Sequence, residues 1–203
     1  MSMNIPKGIE WLIGIDEVGR GPLAGPVTLG FAIMKLEDLK YLPEGVTDSK
    51  KISEKKRESL EAEFVKLKKG GKMNIYTKSV PAATIDKIGI SPSIKRCLKA
   101  GLDASGIDPK VTLVYLDGGL YATEEWINQE TIIKGDASNL LIGAASIFAK
   151  VYRDKYMVKL GKEFSDYGFD KHKGYGTKLH TEAIYKFGPC EHHRLSFCRN
   201  ILK

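Results

Sequence analysis

Cysteine is scarce in this chain, with three in 203 residues: Cys97, Cys190 and Cys198. So few, so irregularly spaced, exclude a disulfide framework, and the odd count leaves one thiol over. A reducing cytoplasm is the expected setting. Long apolar runs are absent as well. Nothing approaches the ~18 residues of a membrane span, and Met1 to Trp11 has no apolar core of signal-peptide length. The chain is therefore expected to be unexported and to make no membrane contact. No Pro/Gly/Ser linker, internal repeat or low-complexity tract divides it, which points to one domain over residues 1–203. Its 42% hydrophobic and 28% charged residues are those of an ordinary globular protein, able to bury a core without staples.

What is present is an uneven charge. The net charge is +7, and from Lys150 to Lys203 there are 12 basic against 6 acidic residues. The first 149 residues are thus close to neutral, and all four histidines (His172, His180, His192, His193) lie in the basic quarter. This distribution suggests a polyanionic partner approached from one side.

Ile9 to Ile15 and Val27 to Met34 are apolar and β-branched, with turn residues Gly19 to Gly25 between them, and read as paired strands. Asn74 to Val80 reads as a third. Ser53 to Lys69 has Leu60, Phe64 and Leu67 at helical spacing behind a Ser N-cap. After Pro92, the spacing of Ile94, Cys97, Leu98 and Leu102 predicts a helix ending near Gly106. Val111 to Leu116 and Thr131 to Ile133 read as strands, Ala137 to Leu160 as the longest helix, and Thr177 to Phe187 as the last. This order predicts an α/β fold with helices packed on a mixed sheet.

Four carboxylates stand where strands end. Asp16 and Glu17 follow the first strand, Asp117 closes Val111 to Leu116, and Asp136 follows Ile132, Ile133, Lys134 and Gly135. A strand-terminal Asp is often only a turn former. Four such positions, one an adjacent acidic pair that repels itself unless neutralised, favour a divalent cation instead. Side chains alternate along a strand, so Asp16 and Glu17 can share one site only if the chain leaves strand geometry there, which Gly19 and Gly21 would ease. Oxygen ligands without nearby His or Cys suit Mg²⁺ or Mn²⁺. Cys190, His192, His193 and Cys198 are close in sequence but match no structural zinc spacing.

The segment GIDEVGRGPLAGPV (Gly14 to Val27) resembles the signature of ribonuclease HII. Further blocks match in the family's order: DSKKIS from Asp48, LDG from Leu116, KGDA from Lys134, AASIFAKVYRD from Ala144, HKGYGT from His172 and HRLSF from His193. The resemblance implies a ribonuclease H-like fold, a five-stranded mixed sheet flanked by helices, with a mostly helical C-terminal portion (about 150–203) holding nucleic acid. It implies that Asp16, Glu17, Asp117 and Asp136 are both the catalytic and the metal-binding residues, on two Mg²⁺ or Mn²⁺ ions. The implied reaction is hydrolysis on the 5′ side of a ribonucleotide, in RNA/DNA hybrids or at single ribonucleotides in duplex DNA, leaving 3′-hydroxyl and 5′-phosphate ends. Such enzymes serve ribonucleotide removal and primer degradation.

By the same resemblance, Gly19, Arg20 and Gly21 contact the ribose and its phosphates, and Tyr175 helps recognise the junction. Ser49, Lys50 and Lys173 are expected on the nucleic-acid backbone. His193, Arg194 and Asp154 are expected to be structural. Phe197, Ile201 and Leu202 leave room for a weak sliding-clamp contact, and a monomer is the default. Three alternatives stay open. Ribonuclease HIII usually carries an extra N-terminal domain, for which Asp16 lies too near the start. A silent hybrid-binding module would cut nothing, and a structure-specific DNA nuclease would cut all-DNA duplexes.

Overall fold

The computed structural model of the chain describes residues 5–202. Met1 to Asn4, part of the N-terminal stretch that lacks an apolar core, and Lys203, the last basic residue, lie outside them. Five strands form one mixed sheet. β1 (Trp11–Val18) pairs antiparallel with β2 (Val27–Lys35), β2 antiparallel with β3 (Asn74–Val80) after a connection that carries a long helix, and β4 (Thr112–Asp117) and β5 (Gln129–Ile132) run parallel to β1, in the order β3-β2-β1-β4-β5. The helices are α1 (Glu54–Lys69), α2 (Ala82–Ile88), α3 (Ile90–Asp103), α4 (Gly135–Ser138), α5 (Leu140–Glu163), α6 (Phe169–His172) and α7 (Lys178–Phe187).

Period-two alternation sends Leu12, Met34, Ile75 and Tyr115 to one face of the sheet, where α5 and the Leu60–Phe64 stripe of α1 cover them. Ile13, Ile15, Phe31 and Val114 go to the other, against Ile94, Leu98 and Leu102 of α3. α5 sits unusually close to the sheet. A Cβ on Gly14 would come within 2.2 Å of the Leu141 carbonyl carbon, and one on Gly30 within 2.2 Å of the Ala145 oxygen. Backbone thus lies on backbone, and the start of α5 is pressed against the strand that carries Asp16.

The helix expected over Ala137 to Leu160 is in fact two. Asn139 adopts an extended conformation and its side chain accepts from the Leu141 and Ile142 amides, so the chain breaks α4 from α5 to gain an N-cap. α3 starts at Ile90, two residues before Pro92, because the first turn of a helix has no use for the amide that proline lacks. α2, only seven residues long and starting directly after Pro81, is too short for its spacing to announce a helix. Ser53 caps α1 as its sequence suggests, accepting from the Lys56 amide.

A third cluster joins Met157 and Leu160 on the distal half of α5 to Ala24, Tyr167, Phe169 and Ala183. The turn after β1 is knitted to this region by main-chain bonds. The Leu23 amide donates to the Gly174 carbonyl, the Arg194 amide to the Leu23 carbonyl, and Ala24 bridges His193. Tyr175 and the Gly19–Gly21 turn therefore belong to one continuous piece of structure.

Candidate active site

β1 and β4 are adjacent parallel strands, and their register pairs Ile15 with Leu116. The next residues, Asp16 and Asp117, therefore end level with each other and on the α5 side, since Ile15 and Leu116 both face α3. The Gly135 amide donates to Asp117 Oδ1 at 2.7 Å. This bond pins the start of α4 to the end of β4 and brings Asp136, in the first turn of α4, beside Asp117. Asp136 is thus a helix residue, four positions past the end of β5.

Glu17 behaves differently from the expectation. β1 stays on the ladder through Val18, with Asp16, Glu17 and Val18 opposite Gly30, Leu29 and Thr28. The departure from strand geometry comes only at Gly19, so Glu17 projects to the face opposite Asp16 at the strand's edge. It is held there by Arg20, whose guanidinium lies 3.4 Å from Glu17 Oε1. Accordingly, among the described residues no three acidic, histidine or cysteine side chains already surround a single point fit for a metal ion.

The electrostatics nevertheless couple the four. Burial pushes the Asp16 carboxyl up to about 8, against the Ser146 hydroxyl and with the charges of Asp117 and Glu17 adding to the rise. Burial also raises Glu17, offset by Arg20 and reinforced by Asp117. Asp136 is raised by burial and then by Asp117 and Asp48, while Lys50 opposes the shift. Acidic groups packed together, hard in donor character and short of cations, suit a hard divalent cation. The donor chemistry of these residues fits such an ion, although their side chains are not gathered around one point.

Around this cluster the remaining expected residues separate into two groups. Arg20 and Tyr175 are exposed, Tyr175 by 44%, and Lys50 is exposed near Asp136. A pocket of about 150 Å³, lined by Arg20, Ser91, Lys95, Gly119 and Tyr121, opens beside the turn. Ser49, by contrast, is buried, its hydroxyl 2.9 Å from that of Ser146 and its carbonyl bound by Arg57. Its side chain therefore faces the interior, toward α5. Lys173 takes a left-handed conformation and its ammonium turns back onto the Asp170 carbonyl. Cys190 and His193 do meet, with their Sγ and Nδ1 3.2 Å apart, and His193 continues to His180 through their Nε2 atoms.

Sequence reasoning missed Asp48, Ser146 and the structural reach of Arg153 and Arg194. Ser146 had a signal, a lone hydroxyl within the apolar run of α5. The arginines are both fully buried. Arg153 donates to the carbonyls of Ala24, Pro26 and Lys173, and Arg194 to those of Gly19, Arg20 and Gly25. Basic composition alone does not distinguish such residues from solvated ones.

A family model described as Ribonuclease HII matches residues 13–200. The chain belongs to the ribonuclease HII family. Ribonuclease HII from Caldicellulosiruptor bescii is 43% identical over 196 residues, covering 97% of this chain and 90% of that protein. The structure of the PCNA:RNase HII complex from Archaeoglobus fulgidus superposes with a TM-score of 0.70 at 27% identity, over 91% of this chain and 93% of that one. Bst-RNase HIII in complex with Mn²⁺ shares the fold, with a TM-score of 0.72 at 16% identity over 95% of this chain and 69% of that one. The expected ribonuclease H-like architecture is therefore the observed one. As a member of the ribonuclease HII family the chain is a divalent-metal-dependent endonuclease that hydrolyses RNA in RNA/DNA hybrids.

Proposed function

We propose that the chain cuts on the 5′ side of a ribonucleotide, both in hybrids and where one ribonucleotide is embedded in duplex DNA, leaving 3′-hydroxyl and 5′-phosphate ends. The observation that carries this reading is the level placement of Asp16 and Asp117 at the ends of adjacent strands, with Asp136 pinned beside them and an exposed turn leading away from Glu17. Asp16, Asp117 and Asp136 would hold two Mg²⁺ or Mn²⁺ ions from the α5 side, and Glu17 would reach them from the strand edge after releasing Arg20. When bound, such a pair supplies activation of the attacking water and neutralisation of the leaving oxygen.

The protein's own groups bind and orient. Arg20 and Lys50 meet phosphates, the amides of the Gly19–Gly21 turn meet the ribose, and the exposed Tyr175 ring packs on the sugar at the junction. A 2′-hydroxyl both donates and accepts, so fixed main-chain groups can tell it from hydrogen. Lys173 joins the phosphate contacts only on leaving the Asp170 carbonyl. A sliding-clamp contact through the C-terminus would use Ile201 and Leu202, since Phe197 packs against the core. The test is one gel with Mg²⁺, comparing an all-DNA duplex with the same duplex carrying one ribonucleotide. Cleavage is expected only in the second, immediately 5′ of the ribonucleotide. Equal cutting of both would reassign the chain's substrate.

A further inference from the structure

Arg194 sits far from the acidic cluster in sequence, has 0% exposure, and hydrogen-bonds only to main-chain carbonyls: Gly19 at 2.7 Å, Arg20 at 2.9 Å and Gly25 at 2.9 Å. A buried guanidinium usually faces a carboxylate, because desolvating an unpaired cation is costly. Here three carbonyl dipoles take that place, and burial followed by the charge of Arg153 lowers Arg194 to about 10.

The consequence follows from peptide geometry. No peptide bond among the described residues is cis. In a trans peptide the N–H points opposite the C=O of the same unit. With the Gly19 and Arg20 carbonyls drawn inward onto Arg194, the amides of Arg20 and Gly21 are turned outward. Two independent observations agree. Gly19 is buried while Arg20 and Gly21 are exposed. Neither the Arg20 nor the Gly21 amide has a main-chain acceptor among the described residues. Arg153 braces the same loop from behind, bonding Ala24 and Pro26, and reaches Lys173 in the segment that carries Tyr175.

We infer that Arg194 is a positioning residue for substrate discrimination: by holding the Gly19 and Arg20 carbonyls inward, it presents the Arg20 and Gly21 amides as a rigid pair of donors to the ribose and its phosphate. This rests on the proposed role of the turn in sensing the 2′-hydroxyl. Preorganised donors lose little freedom on binding, so their loss falls on recognition of the ribonucleotide.

The test is Arg194→Lys, which keeps the charge but gathers its donors on one atom that cannot span three carbonyls. Binding of the single-ribonucleotide duplex and of the all-DNA duplex is measured with EDTA present to prevent cleavage, alongside amide NMR spectra of the free protein. The expected result is displaced Arg20 and Gly21 signals in an otherwise similar spectrum, with the preference for the ribonucleotide duplex reduced at least tenfold. Unmoved turn signals, or an intact preference, would overturn the inference. If the wild type itself binds both duplexes equally, the reading of the turn fails instead. Should Arg194→Lys not fold, solvent-exchange NMR on the wild type decides. The Arg20 and Gly21 amides should exchange freely and slow when the ribonucleotide duplex is added, whereas amides already protected in the free protein would refute an outward pair.

Discussion

The hydroxyl oxygens of Ser49 and Ser146, 97 positions apart in the chain, lie 2.9 Å from each other in the interior. The pair fastens the Asp48–Ser53 segment to α5, and the Ser146 hydroxyl also favours the ionised form of Asp16. Ser146→Ala leaves the Ser49 hydroxyl buried without its partner, at a cost of about 1–3 kcal/mol. Urea titration should show that the double variant with Ser49→Ala costs less than the sum of the two single changes. Strict additivity would mean that the two hydroxyls do not depend on each other. The single Ser146→Ala variant should also need more Mg²⁺ for half-maximal cleavage.

Gly21 is a glycine the fold itself does not require. Its φ is not left-handed, and a Cβ built there meets nothing within 4 Å. Gly21→Ala should therefore leave thermal stability unchanged or raise it by about 0.4–1 kcal/mol through the unfolded chain. Cleavage at a single ribonucleotide should nonetheless drop at least tenfold, because the added methyl occupies the space the substrate needs to approach the turn. Full activity in a stable Gly21→Ala variant would place the substrate elsewhere.

Asp16→Asn replaces a carboxyl whose ionisation is disfavoured by burial and then by the charges of Asp117 and Glu17. Without divalent ions the variant should melt no lower than the wild type. Added Mg²⁺ should raise the wild-type melting temperature through preferential binding to the folded state, and raise that of the variant much less. Cleavage should be abolished while hybrid binding is largely kept. Normal turnover at saturating Mg²⁺ would remove Asp16 from the catalytic set.

His180 and His193 form a neutral relay. The Tyr175 carbonyl accepts from His180 Nδ1 at 2.9 Å, the Cys190 amide donates to His193 Nδ1 at 2.9 Å, and the two Nε2 atoms are 3.0 Å apart. The tautomers follow, with His193 Nε2–H donating to His180 Nε2. Burial, chiefly, pushes both rings down to about 4. The unfolded chain therefore takes up these protons first. Stability should be unaffected by the pair above about pH 6.5 and should fall between 6.5 and 4, by at most about 1.4 kcal/mol per pH unit for each proton. Urea unfolding at several pH values should show this slope, and His193→Gln should flatten it. An identical slope in that variant would assign the acid sensitivity to other groups.

Much of the fold is legible in the chain because strands and helices carry their own periodicity. β3 spans the expected Asn74 to Val80, and Leu60 and Phe64 bury the face of α1 that their spacing selects. The seven residues of α2 are too few for a period to emerge, and the break at Asn139 hides inside a run of good helix formers. At the site, Asp16, Asp117 and Asp136 stand out because a carboxylate after an apolar strand is conspicuous.

The sequence by itself determined the sheet, the acidic residues at its edge and the basic C-terminal quarter, since local pattern and composition depend only on near neighbours. Only the tertiary structure decided that Asp16 and Glu17 face opposite sides of β1, that Ser49 is buried, and that the otherwise ordinary Arg153 and Arg194 hold the turn and the Tyr175 segment together. Those facts arise from strand register and from contacts between residues distant in the chain, up to 175 positions apart for Arg194 and Gly19. Part of the basic excess thus lies inside the molecule, where its partners are main-chain carbonyls.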